Sequence, residues 1–143
     1  MTQYRPVQED LARVDEGFRR FLTGAAAVVV AGGFLPWEYD EHFGDGWMLG
    51  IELSSVWVVM GLGAVSAGLA WRRSYLGAAT IALLCALATW LFGEFATTGF
   101  FGEPPRPQDR GAGVYVTGVA SGLVVLGGIA AKVATRDRAS REE

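Results

Sequence analysis

In 143 residues the chain sets twelve Lys and Arg against fifteen Asp and Glu, for a net charge of −3, and is 51% hydrophobic but only 19% charged. A charged share below the usual quarter excludes an ordinary soluble domain, and the lack of any basic excess excludes a nucleic-acid binder. One cysteine, Cys85, and one histidine, His42, exclude an internal disulfide, a CxxC redox pair, a cysteine-based zinc site and a bis-histidine haem held by this chain alone.

Most charges lie in two tails and two loops, so the stretches between them are far more apolar than the mean hydropathy of +0.28 implies. The N-terminal segment, residues 1–17, carries Val7, Leu11 and Val14, continued by Phe18, at helical spacing among Glu9, Asp10, Arg13, Asp15 and Glu16, with Pro6 placed for a first helical turn. That stripe predicts a short juxtamembrane helix, either lying on the membrane surface or docking a partner, or else continuing into the first span.

Four charge-free stretches follow: Phe21 to Trp37, Leu53 to Trp71, Ser74 to Gly93 and Gly111 to Ala131. Each is long enough for a helix to cross a hydrocarbon core about 30 Å thick, which takes roughly 17 to 25 residues. Unpaired backbone is so costly in lipid that helices are preferred over strands, since no stretch alternates strictly. The expected fold is therefore an all-α membrane protein, a four-transmembrane-helix bundle with helices at about 18–37, 47–71, 74–95 and 111–134. The first stretch begins after about twenty residues that include four acids, and ends in Phe34-Leu35-Pro36-Trp37 rather than a small-x-small site, so it is expected to be retained.

Four crossings place Arg5, Arg13, Arg19, Arg20, Arg72, Arg73, Lys132, Arg136, Arg138 and Arg141 on one side, and only Arg106 and Arg110 on the other. The positive-inside rule then puts both termini, including the charged tail 135–143, in the cytoplasm of a cell membrane. Trp37, Trp47, Trp71 and Trp90 fall at the expected membrane boundaries.

Little in the sequence carries chemistry. Glu52 and Glu94 are the only acids near membrane depth; together they form a candidate cation or proton site, while headgroup solvation is the simpler expectation because neither is central. His42 with Glu38, Asp40, Glu41 and Asp45 has hard oxygens and an imidazole but no closed ligand spacing, so no metal site is expected. Cys85 has no basic neighbour and reads as a packing residue. Small residues at four-residue spacing, Gly63 with Ala67, Ala78 with Ala82 and Ala86, and Gly118 with Gly122, are expected to let helices approach closely, within the chain first and against a second chain otherwise. No catalytic residue, metal or cofactor is expected. The partners expected are the lipid bilayer and either another membrane protein or a second copy of the chain.

Gly33-Phe34-Leu35-Pro36-Trp37, Gly44-Asp45-Gly46-Trp47, the Arg72-Arg73 turn and Gly113-Val114-Tyr115 resemble a loose group of small, uncharacterised four-span membrane proteins of high-GC bacteria and haloarchaea. The resemblance spans about Thr23 to Lys132 and implies no activity. Small multidrug-resistance transporters match in size but carry a central glutamate in their first helix, where this chain is apolar. The function expected is thus a non-catalytic accessory or structural subunit of a membrane assembly, or a self-associating envelope component, with a transporter using Glu52 and Glu94 as the alternative.

Overall fold

The computed structural model describes residues 4–39, 46–52, 54–95 and 110–139. It is all-helical apart from one small ribbon: α1 (Tyr4–Gly32), strands β1 (Pro36–Tyr39) and β2 (Trp47–Leu49), a 3-10 turn (Gly50–Glu52), α2 (Ser54–Trp71), α3 (Tyr75–Phe95) and α4 (Ala112–Ala139). The stripe that begins at Val7 is not a separate helix. It belongs to α1, which runs unbroken for 29 residues, so of the expected alternatives the continuous one is found.

The first helix ends at Gly32, not at Trp37, and the second starts at Ser54, not near Trp47. Proline explains the first boundary. Pro36 has no N–H, and in a continued helix its ring would strike the carbonyl of Gly32, four residues earlier. The chain instead tightens through Gly33, Phe34 and Leu35, whose N–H groups donate to Val30, Ala31 and Gly32 at 3.1, 3.0 and 3.2 Å. It then leaves as β1, which pairs antiparallel with β2 through Pro36 opposite Leu49 and Tyr39 opposite Trp47, with an irregularity between Pro36 and Glu38. Gly46 enters β2 at φ 84°, a backbone angle open to glycine at no steric cost. The backbone that the sequence reading put in helix is therefore paired as a ribbon.

The four helices pack as a ring in which each touches its sequence neighbour and α4 returns against α1, while α1 and α3 meet only sparsely. Close approaches set the directions. Near one end Gly32 of α1 lies against Thr117 and Gly113 of α4; toward the other, Gly127 of α4 lies against Leu22 and Gly128 against the Tyr75 carbonyl and Ala79 of α3. Thus α4 runs antiparallel to both neighbours.

Inside the ring, small and hydroxylated side chains pack beside a few larger apolar ones, Leu22, Val29, Val56, Val59 and Val124. Ala26, Ala70, Ala78, Ala79, Ala82 and Ala131 are buried, as are Ser66, Thr89, Thr117 and Ser121. Ser66 donates across to the Ala78 carbonyl at 2.9 Å, and Thr89 back to the Cys85 carbonyl at 2.8 Å. Many bulky apolar side chains point outward, with Trp57, Leu76, Trp90, Val119 and Leu126 each more than half exposed. α4 is long and apolar enough to cross a membrane over Ala112–Arg136, at a mean hydropathy of 1.9, and the apolar helices Ser55–Trp71 and Tyr75–Leu91 are shorter.

Candidate functional site

Two built structures sit at opposite ends of the ring. At the ribbon end, Trp37 is 4% exposed and its indole N–H donates to the Gly32 carbonyl at 2.8 Å. The ring fits because the backbone around it lacks side chains: a Cβ on Gly50 would fall 2.6 Å from the Trp37 ring, and one on Gly113 would overlap it. The Gly111 N–H donates to the Trp37 carbonyl at 2.8 Å and the Gly50 N–H to the Leu35 carbonyl at 3.0 Å. Trp37 is thus a plug that joins α1, the ribbon and the start of α4. The glycines of the Gly33-to-Trp37 and Gly113-Val114-Tyr115 motifs are explained by contact; Gly33 is similarly closed by the Met60 side chain.

At the other end α2 turns into α3 through Arg72, Arg73 and Ser74. The Arg73 and Ser74 N–H groups donate to the carbonyls of Ala70 and Leu69 at 3.0 and 2.9 Å, the pattern of a Schellman cap. Its left-handed position, normally glycine, is Arg73 at φ 62°. The side chain accounts for the exception: Arg73 Nε lies 3.1 Å from Asp15 Oδ2 on α1, and the Tyr75 hydroxyl donates to Asp15 Oδ1 at 2.5 Å. One turn along α1, the Arg19 guanidinium stacks 4.1 Å above the Trp71 ring and binds Glu16 at 2.6 Å, with Arg20 also on Glu16 at 2.7 Å. Those hydrogen bonds, Arg19 first and Arg20 second, hold the Glu16 carboxyl below its ordinary value of 4.5. This clasp binds α1 to the α2–α3 turn through charge.

Of the predicted site pair, only the side chain of Glu52 lies among the described residues. Glu52 is exposed, and its Oε2 accepts the Leu49 N–H at 2.8 Å, so its carboxylate closes the 3-10 turn after β2. The side chain of Glu94 lies outside the described residues, as do His42, Asp40, Glu41, Asp45 and Arg106. Among the described residues no group of three His, Cys, Asp or Glu could hold a metal. Cys85 is buried, its thiol 3.5 Å from the Val59 carbonyl.

Of the packing positions, Ala78 and Ala82 are buried, Gly63 lies against Val29 and Val30, and Ala67 and Ala86 are half-buried. Among the described residues nothing lies within 4 Å of where a Cβ on Gly118 or Gly122 would stand, so neither brings two of the described helices together. The sequence reading did not single out Asp15, Tyr75 or the plug role of Trp37. The signals were a proline just before a tryptophan, and a helix stop at Arg72-Arg73 with no glycine to take the left-handed angle. Compared with protein families, with curated proteins and with solved structures, the chain gives no match.

Proposed function

We propose that this chain is a four-span integral membrane protein without catalytic activity, an accessory or structural subunit of a membrane assembly or a self-associating envelope component. One observation carries the reading: many bulky apolar side chains lie on the outside, while alanines, glycines and hydroxyls are prominent among the buried residues, beside Leu22, Val29, Val56, Val59 and Val124. In water that surface would be far larger than the apolar patches a monomer tolerates; against lipid it costs nothing, and small interior residues are what close helix packing in lipid calls for. The Glu52 carboxylate accepts the Leu49 N–H of its own turn, which supports this reading over the transporter alternative. In this reading the positive-inside rule puts the clasp in the cytoplasm and the plug outside.

The test is direct. After alkaline extraction the chain should remain in membranes and float with them; release into the supernatant would sink the proposal. With Cys85→Ala as background, His42→Cys and Gln108→Cys should react with an impermeant maleimide on intact cells and Ser140→Cys only after lysis. Crosslinking in native membranes should then capture a partner or a second copy, and a monomer without partners would refute the accessory role.

A further inference from the structure

We infer that the outer face of α2 and the turn after it form a binding site for an anionic phospholipid, with Arg72 holding the phosphate and a furrow of small residues holding an acyl chain. The inference rests on the membrane-spanning reading. Along α2, Trp57, Gly61, Ala64, Gly68 and Trp71 recur at steps of four, three, four and three, which is one face of a helix, and all five are exposed. Nothing stands within 4 Å of a Cβ built on Gly61 or Gly68. The face is therefore a trough with a tryptophan at each end.

Arg72 lies one turn past Gly68 on the same side, is exposed, and makes no ion pair among the described residues. Its neighbour Arg73 is taken by Asp15, and Arg19 and Arg20 by Glu16. From Arg72 to Gly61 the helix rises about 16 Å, close to one leaflet of a hydrocarbon core of about 30 Å. A phosphate at Arg72 would thus have its chain alongside Gly68, Ala64 and Gly61, with Trp71 at the boundary between them.

Charge selects this occupant over a second copy of the chain. A two-fold axis along the membrane normal, the only one four crossings of fixed orientation allow, would set Arg72 beside Arg72 with both nearby acids already engaged. An anionic headgroup supplies the missing charge.

The test uses the full chain in mild nonionic detergent, with native mass spectrometry reading retained lipid. Phosphatidylglycerol should be held in preference to phosphatidylcholine of the same acyl chains. Arg72→Ala should weaken phosphatidylglycerol retention roughly fivefold and that of phosphatidylcholine, whose choline offsets the phosphate charge, by less, whereas Gly61→Leu with Gly68→Leu, which the open space accommodates, should lower both. Lys132→Ala should change neither. Equal retention of the two lipids, an equal loss with Lys132→Ala, or lipid retained after the furrow is filled would overturn the site. So would displacement of phosphatidylglycerol by inorganic phosphate alone, or a dimer that Gly68→Leu abolishes. Flotation of the same protein keeps the two failures apart: no membrane association refutes the membrane reading, and association without lipid preference refutes only this site.

Discussion

The two ends of the bundle are fastened by different physics. At the ribbon end Trp37 is enclosed by glycine backbone and one indole hydrogen bond, so the attachment is one of shape. At the other end the attachment is one of charge, made by Asp15, Glu16, Arg19, Arg73 and the Tyr75 hydroxyl around the Trp71 ring. Shape is insensitive to salt and pH but intolerant of a methyl group; charge is the reverse. Both ends rely on a tryptophan, and the difference lies in what surrounds it.

That contrast can be broken in graded steps. Trp37→Ala should cost about 3–5 kcal/mol, the usual range for emptying a buried tryptophan site, read as a lowered melting temperature in detergent; a melt within a degree or two of the parent would mean the plug bears no load. Gly113→Ala, which drives a methyl into the indole, should cost about 1–3 kcal/mol, and a matching loss should be absent for Gly118→Ala, where the space is open. At the clasp, Tyr75→Phe removes the hydroxyl that Asp15 accepts and should cost about 1–2 kcal/mol, less in strong salt only if the neighbouring ion pair is coupled to it.

Acid should act at the clasp through Glu16. The Glu16 carboxyl titrates below its ordinary 4.5 in the fold, so its contribution is fully present above that value and is lost as pH falls through the lowered folded value. Melts taken from pH 6 downward should show a clasp-dependent decline that Glu16→Gln removes and Trp37 variants retain; a decline unchanged in Glu16→Gln would assign it elsewhere. Smallest of all is Arg73→Gly. Relief of the left-handed angle, about 1–2 kcal/mol, opposes loss of an exposed ion pair worth at most about 1 kcal/mol, so stability should stay level or rise slightly.

The helical stretches were legible because apolar runs of this length leave few alternatives to helix. Their ends were not, since hydropathy continues through Phe34, Leu35 and Trp37 although the helix cannot pass Pro36. Hydropathy records what the residues face, whereas backbone donors decide where the helix stops. Spacing had a similar blind spot. Gly63 and the Gly118–Gly122 pair share the small-residue pattern, yet the first faces Val29 and the others open space, a distinction set by the rotation of each helix. Arg73 was illegible for another reason: its partner Asp15 lies on a different helix, and only the folded chain brings the two together. The ring of exposed bulky residues, by contrast, was foreshadowed in stretches apolar on every face.

α1 has one more consequence. At 29 residues and about 44 Å it carries the Asp15 end of the clasp and, at its last residue, the Gly32 carbonyl that holds the Trp37 indole. Proline enters only after Gly32, apart from Pro6 near its start, and so the helix has no proline hinge between the two fastenings. A tilt of the charged end is therefore delivered to the indole as leverage, and a partner pulling on the first turns of α1 would be felt at the opposite end of the bundle as torque at a single tryptophan.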